Sequence, residues 1–393
     1  MDLSYTAEEQ AFRAEARDWL RAHVPAAPLP SLETREGFAA HRAWEAELAA
    51  ARWSVVSWPE QYGGRGADIF RWLVFEEEYY AAGGPGRVSQ NGINLLAPTL
   101  FAHATEEQRA RVLPSMATGE TIWAQAWSEP EAGSDLASLT SRAVRTSGGW
   151  LLSGQKTWSS RAAFADRAFG IFRTDPTGAA EGKPHRGLTY LMFDLRAPGV
   201  TVRPIGRLDG KPAFAELFLD EVFVPDEDVI GEPGQGWRIA MSTTGNERGL
   251  MLRSPGRFLA AADRLARLWQ ERGDGGSAAG HGHGGDTALR DRVADALIGA
   301  RAYQLFTAAG ASRFAAGAVI GAESSLNKVF WSRLDIALHE TALDLLGAEG
   351  ELADTEWAEG HVFSLAGPIY AGTNEIQRDI IAERLLGLPK GRR

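Results

Sequence analysis

Four stretches of the chain carry groups able to act on a ligand. In Trp123-Ala124-Gln125-Ala126-Trp127-Ser128-Glu129-Pro130-Glu131-Ala132-Gly133-Ser134-Asp135, the hydroxyls of Ser128 and Ser134 and the exposed amides suit hydrogen bonding to a flat, polar ring; the same residues also make an ordinary domain-junction turn. In Tyr370-Ala371-Gly372-Thr373-Asn374-Glu375-Ile376-Gln377-Arg378, Gly372 permits a tight turn and Thr373 can cap the helix that follows. A glycine-marked loop at a helix start presents N–H donors to a ligand, although spacing alone equally describes a terminal helix and its turn. Thr244-Gly245-Asn246-Glu247-Arg248-Gly249 supplies a carboxylate beside a guanidinium, a pair that on spacing alone is a solvated helix face. Gly231-Glu232-Pro233-Gly234-Gln235-Gly236 is glycine-rich but follows strand-like sequence, has the wrong spacing for a dinucleotide fingerprint, and reads as a linker.

These stretches need elements to hold them. Thr6-Ala7-Glu8-Glu9 has the form of a capping box, opening a helix with Phe12, Ala16, Trp19 and Leu20 on one face and Pro25 and Pro28 beyond it. Helical spacing returns around Phe38, Trp44 and Leu48 and over Ile69–Tyr80, and a second capping box at Thr105-Glu106-Glu107-Gln108 opens a helix expected to stop at Pro114. Residues 1–120 therefore read as an N-terminal helical domain. From Thr121, short apolar segments alternate with turn residues: Trp150–Leu152, Ala168–Phe172, Leu188–Phe193, Val200–Pro204 and Ala215–Val224. Residues 121–230 read as a middle β domain, a small barrel or sandwich. Over 231–393, Leu289, Val293, Ala296, Leu297, Ala300 and Tyr303 fall on one face of a long helix, and Ala302–Ala318 and Leu326–Leu346 continue an antiparallel bundle. Ile376, Ile380 and Leu385 recur on one face of the last helix, with Gly387 and Pro389 as stop signals. The segment Gly273–Gly285 is a flexible Gly/His-rich loop; its His281 and His283 lack companion ligands, so no metal site is expected.

Composition narrows the function classes. Across 393 residues, 44% are hydrophobic and 23% charged, which suits a globular protein of two or three domains. The formal net charge of −10 argues against a nucleic-acid partner. With no cysteine, disulfides, thiolate metal sites and cysteine nucleophiles are excluded. The acidic start lacks the basic and apolar regions of a secretory signal, and no apolar window is long enough for a bilayer, so a cytoplasmic protein is expected. No Gly-x-Ser-x-Gly elbow supports a Ser-His-Asp hydrolase.

Together the motifs carry a resemblance. Tyr-x-Gly-Thr-Asn-Glu-Ile-Gln-Arg at 370–378, with Ile-Ile-Ala-Glu-Arg after it, resembles the C-terminal signature of the acyl-CoA dehydrogenases. Ser-Glu-Pro-Glu-Ala-Gly-Ser-Asp at 128–135 is similar to that family's flavin loop, and Gly149-Trp150-Leu151-Leu152-Ser153-Gly154-Gln155-Lys156-Thr157-Trp158-Ser159-Ser160 to its next block. The resemblance spans nearly the whole chain. It implies an N-terminal helical domain, a middle β-barrel and a C-terminal four-helix bundle, with FAD between barrel and bundle of an oligomer. It places Trp127, Ser128, Gly133, Ser134, Trp158, Ser160, Thr373 and Glu375 about the cofactor, with Trp158 packing on the flavin and Ser160 reaching N5. The implied reaction converts an acyl-CoA thioester to its trans-2-enoyl product and passes electrons to an electron-transferring flavoprotein. The implied substrate contacts are Ser134 and Arg248.

Many members carry the catalytic glutamate immediately before the glycine of the signature; here that residue is Ala371, which keeps only its backbone N–H for the thioester oxygen. In isovaleryl-type and long-chain-type relatives the base is a glutamate before an arginine on the first bundle helix, which Glu247-Arg248 matches. The resemblance therefore implies Glu247 as the base. Two departures bear on assembly. The Gly/His-rich loop stands where an Arg-x-x-Phe-Gly segment is usual, and Asp344-Leu345-Leu346-Gly347-Ala348-Glu349-Gly350 puts an acid where a neutral donor is usual. A homodimer or homotetramer and a heteromer both remain open. So do a carrier-bound thioester in place of CoA, a flavin monooxygenase or oxidase on the same fold, and an FAD-poor subunit of a heteromeric dehydrogenase.

Overall fold

Thr6 opens the first helix in the way its spacing from Glu9 predicts: its hydroxyl accepts from the Glu9 amide while the Glu9 carboxylate accepts from the Thr6 amide. The computed structural model describes residues 5–248, 255–273, 287–318, 321–352 and 355–391, without the side chains of residues 246–248 and 273. In chain order the helices are α1 (Ala7–His23), α2 (Arg35–Ala50), α3 (Ile69–Ala81), α4 (Ala97–His103), α5 (Glu106–Ala117), α6 (Thr177–Ala180), α7 (Gly236–Arg248), α8 (Pro255–Gly273), α9 (Thr287–Ala315), α10 (Glu323–Leu346), α11 (Glu356–Ser364) and α12 (Asn374–Ile380). The strands, all between α5 and α7, are β1 (Trp123–Ala126), β2 (Arg142–Thr146), β3 (Gly149–Ser160), β4 (Arg167–Arg173), β5 (Leu188–Asp194), β6 (Val200–Ile205), β7 (Phe214–Pro225) and β8 (Val229–Ile230).

Packing divides the chain into two compact units. One contains Met1–Val24, Asp68–Gly84 and Arg248–Arg393, and the other Pro25–Ala67 and Pro85–Glu247. In the first, α1 lies against α3, where Arg13 bridges Glu77 and Glu78 and Arg17 grips Glu78. Helices α8, α9 and α10 share a core of Phe258, Leu265, Val293, Tyr303, Leu338 and Leu345. Gly256 sits in α8 where a Cβ would come within 2.7 Å of the Glu76 carbonyl oxygen, so its lack of a side chain lets α8 approach α3.

In the second unit the strands form one hydrogen-bonded sheet in the order β6-β7-β3-β2-β4-β5-β8, with β1 parallel to β4. Strands β4 and β5 read as unbroken apolar runs because both of their faces are covered. Ala168, Phe172, Leu191 and Phe193 pack on one side with β3 and β7, while Phe169, Ile171, Tyr190 and Met192 join the helical residues Leu96, Leu100 and Ile239 on the other. The architecture is thus N-terminal helices, a middle β sheet and C-terminal helices, as the sequence led us to expect.

Several local expectations are corrected. Helix α5 runs through Pro114 to Ala117. An interior proline costs about 3 kcal/mol; Pro114 falls near the helix end, and burial of Leu113, Met116 and Ala117 offsets the lost bond. The segments around 289–303 and 302–315 are one helix, α9. Its buried face runs Leu289, Val293, Ala296, Ala300, Tyr303, and Leu297 stands outside it. In α12 the buried residues are the polar Asn374 and Gln377 rather than Ile376 and Ile380, and Leu385 is exposed.

Candidate active site

The loop after β1 is fastened to β3 at two adjacent points. The Ser128 carbonyl accepts from the Thr157 amide at 2.8 Å, and Glu129 Oε1 meets Lys156 Nζ at 2.9 Å in a site where both side chains are buried. A buried ion pair persists only when its remaining hydrogen-bonding capacity is met. Here it is: Lys156 also donates to the carbonyls of Trp127 and Ile171, while Glu129 accepts from the amides of Thr140 and Ser141 and the Thr140 hydroxyl. Burial pushes the Glu129 carboxyl upward, but the Lys156 ammonium and the amide donors overcome this and hold it at about 2. Burial lowers the Lys156 ammonium to about 8, the carboxylate restoring only part of the loss, so the pair is ionised at neutral pH.

These fastenings bring Ser128 beside the end of β3, where the strand leaves its register. Pairing with β7 slips between Lys156 and Ser159, and Trp158 takes a left-handed φ of 58°. A large residue in that region is strained and signals a position fixed by its surroundings. The result is an indole 60% exposed, set edge-on to Phe214 at 5.8 Å, in a fold whose other tryptophans on the sheet are buried. Arg161 is left-handed as well (φ 54°), and its guanidinium donates twice to the buried Glu33 carboxylate, at 3.0 and 3.2 Å. The two residues Ser159 and Ser160 are therefore bracketed by constrained backbone.

Of the residues singled out in this unit, the hydroxyls of Ser128, Ser134 and Ser160 donate to no described residue. Gly133 is exposed, with nothing within 4 Å of where a Cβ would stand. Trp127 is buried and its indole Nε1 has no hydrogen-bond partner among the described residues. The backbone of Glu247 and Arg248 completes α7, but their side chains lie outside the described residues, as do His281 and His283.

In the other unit, the loop before α12 is shaped from beneath. Ala371 (φ 57°) and Gly372 (φ 76°) are both left-handed, and Gln377 Nε2 donates to the Ala371 carbonyl at 2.9 Å, drawing the loop onto the helix it precedes. Thr373 caps α12 by accepting from the Ile376 amide. Lys328, on α10 and with no exposed surface, donates to Asn374 Oδ1 at 2.9 Å, and Ser332 bonds the same side chain. The amides of Ala371 and Gly372 face no acceptor among the described residues. Glu375 is exposed at the start of α12, pairs with Arg378 at 3.2 Å, and is lowered chiefly by its own backbone amide. The acid Asp344 is met by Arg292 of α9 at 2.5 Å, both exposed. Sequence reasoning missed Glu129, Lys156, Lys328 and Gln377. Lys156 stands among Gly154, Gln155 and Thr157, and Lys328 follows Ser325 and Asn327, so nothing in the local sequence marks either lysine as buried.

Comparison with known proteins meets this geometry from outside. Sequence profiles match along the chain for the Acyl-CoA dehydrogenase N-terminal domain at residues 6–120, the middle domain at 124–222 and the C-terminal domain at 234–386. The chain belongs to the acyl-CoA dehydrogenase family. The dehydrogenase is 36% identical to acyl-CoA dehydrogenase IpdE1 of Mycolicibacterium smegmatis, covering 98% of both chains. Among solved structures it is similar to the ChsE4–ChsE5 complex from Mycobacterium tuberculosis, with a TM-score of 0.83 and 29% identity over the whole of both chains. It is also similar to the Tcur3481–Tcur3483 steroid ACAD, with a TM-score of 0.82 and 27% identity, again over the whole of both chains.

The family's cofactor is FAD, and the residues present fit it. A flavin offers a flat aromatic face and an edge of carbonyl and imide groups. The dehydrogenase has an indole held open to solvent, uncommitted hydroxyls at Ser128, Ser134 and Ser160, and a side-chain-free approach at Gly133. Among the described residues no helix is long and apolar enough to cross a membrane.

Proposed function

We propose that this dehydrogenase desaturates the α,β-bond of an acyl-CoA thioester with Glu247 as the base that removes the α-proton. The observation carrying the reading is the absence of a carboxylate at position 371 together with a Glu-Arg pair at the end of α7. The loop around Ala371 keeps a backbone fit for a donor, with unengaged amides at 371 and 372, while its side chain is a methyl group.

The α-proton of a thioester is weakly acidic, so its removal needs a carboxylate in a desolvated setting and a donor to the oxygen on which enolate charge gathers. Glu247 takes the proton, and the Ala371 N–H donates to the thioester oxygen. Arg248 contacts the thioester or pantetheine portion, with Ser134 a further substrate contact. FAD, when bound, supplies the acceptor for the hydride that leaves the β-carbon. Trp158 offers its exposed face to the cofactor ring, while Ser128 and Ser160 hydrogen-bond its edge. Gly133, Trp127, Thr373 and Glu375 complete the cofactor contacts. The electron acceptor in turn is an electron-transferring flavoprotein.

For the acyl group we infer a bulky, ring-bearing chain. Support comes from the steroid dehydrogenase among the similar structures and from the glutamate placement shared with relatives acting on branched or long acyl groups. The similar structures that are complexes of differently named chains, and the acid at Asp344, favour assembly with an unlike partner as a second reading of the quaternary state. The test is anaerobic mixing of the purified protein with short, branched, aromatic and steroid-derived CoA thioesters. Bleaching of the flavin by the ring-bearing members, lost in Glu247→Gln with flavin content unchanged, is the expected result. Full reduction of the glutamine variant would overturn the assignment of the base.

A further inference from the structure

Three hydroxyls buried in the apolar core of the second unit take no part in the roles above. Thr99 on α4, Thr243 on α7 and Tyr190 on β5 have no exposed surface, and their surroundings are Leu95, Leu96, Ile239 and Ala240. A hydroxyl in such a place costs free energy unless its hydrogen bonds are made. Here they are made in series. Tyr190 Oη lies 3.4 Å from Thr243 Oγ1, Thr243 Oγ1 lies 2.7 Å from Thr99 Oγ1, and Thr99 Oγ1 donates to the Leu95 carbonyl at 2.7 Å. One direction of donation, from Tyr190 to Thr243 to Thr99 to Leu95, uses every proton once. Thr243 has a second available acceptor in the Ile239 carbonyl at 3.1 Å.

The series joins two places that the reaction needs in register. At one end the Tyr190 ring stacks on Phe169 and meets Trp127 edge-on at 6.1 Å, and Trp127 precedes Ser128 in the loop fastened to β3. At the other, Thr243 stands one turn before Glu247 on α7, about 6 Å from it along the helix axis. The helix opposite is irregular: the π-helical turn Gly92–Leu96 leads into α4, and the Leu95 carbonyl belongs to it. Such turns carry one extra residue and concentrate at functional sites. Helices α4 and α7 run antiparallel here, with Thr99 beside Thr243 and His103 within electrostatic reach of Arg238.

We propose that Thr99, Thr243 and Tyr190 are positioning residues that fix the height and rotation of α7, and with it Glu247, against the loop bearing Trp127 and Ser128. This rests on the assignment of Glu247 as the base. Loss of a proton from one carbon and a hydride from the next requires base and acceptor to be set within about 0.5 Å of their working geometry. Apolar packing between helices tolerates sliding, whereas a directional hydrogen bond does not.

The test uses the full-length flavin-loaded protein and the variants Thr243→Val, Thr243→Ser, Thr99→Val and Glu247→Gln. Thr243→Val is expected to keep its flavin content and its substrate concentration for half-maximal reduction within about twofold, while the limiting rate of flavin reduction falls by about ten- to a hundredfold. Thr243→Ser, which retains the oxygen, restores the rate. A second readout follows the base alone: washout of α-deuterium, by NMR, from a thioester whose β-carbon bears no hydrogen should slow in Thr243→Val by a similar factor. Wild-type reduction and washout in Thr243→Val, or a loss that tracks flavin content alone, would overturn the inference. Should that variant not fold, Thr99→Val is read by the same criteria, since it leaves Thr243 an acceptor at Ile239. Failure of the base assignment is separable, because it shows as full activity in Glu247→Gln whatever the threonine variants do.

Discussion

At the scale of single residues, Ala371 and the Lys156–Glu129 pair make the sharpest predictions. Ala371 already sits in left-handed backbone, so exchanging its methyl for a longer unbranched side chain adds little strain; Ala371→Glu should lower stability by less than about 1 kcal/mol. In a Glu247→Gln background the same change should return measurable flavin reduction, and stopped-flow spectroscopy checks it. For the buried pair, Lys156→Met leaves a carboxylate in the core without its cation, which should cost about 3–5 kcal/mol in urea unfolding. The pH dependence has a definite sign. Glu129 is held at about 2 in the folded protein against 4.5 ordinarily, so the unfolded chain binds the extra proton between those values. Stability from this group is therefore present above about pH 4.5 and declines as pH falls toward 2, and urea titrations across that window should show the decline. In Lys156→Met the carboxyl rises and the decline weakens. The sequence exposes Ala371 because a signature surrounds it. Lys156 and Glu129 are 27 residues apart, and nothing local says that one neutralises the other.

At the scale of elements, the helices with side-chain caps are plain in the sequence, since Thr6 and Thr105 each act on residues within one turn. Strand β3 is harder to read from Gly154 onward, because its shape is set across strands. Gly154, at φ 145°, occupies the first of two register slips, where a Cβ would stand 2.3 Å from Ser141 Oγ and 2.7 Å from Ser141 Cα. Gly154→Ala should therefore destabilise by at least about 2 kcal/mol. It should also shift the strand that carries Trp158 and Ser160, seen as a changed flavin absorption spectrum in whatever protein folds. Helix α12 inverts the usual pattern for a related reason. Its isoleucines suggest an apolar face, but its buried positions are polar because Lys328 and the carbonyl of Ala371 need partners there.

At the scale of the whole molecule, the family could be read from motifs in order along the chain, whereas the way α1 and α3 join the C-terminal helices could not. In that packing Glu77 and Glu78 of α3 pair with Arg13 of α1 while Gln304 of α9 donates to Glu77, and in sequence the two glutamates are only charges on a helix. Cofactor retention belongs to this scale as well. The family resemblance implies a neutral donor toward the cofactor phosphate where this chain has Asp344, and Arg292 offsets the acid in an exposed pair of modest worth. Asp344→Gln should raise the flavin-to-protein ratio after gel filtration of the isolated chain, and Arg292→Ala should lower it.

The ammonium of Lys328 sits sealed inside the helices and donates to the amide oxygen of Asn374, so the start of α12 is anchored from within rather than laid on as a tail. Proteolysis between Pro368 and Asn374 would loosen the hydrogen bonds that Asn374 makes to Lys328 and Ser332. Damage to that loop would then be felt in α10, and a nicked sample should melt at a lower temperature than the intact chain.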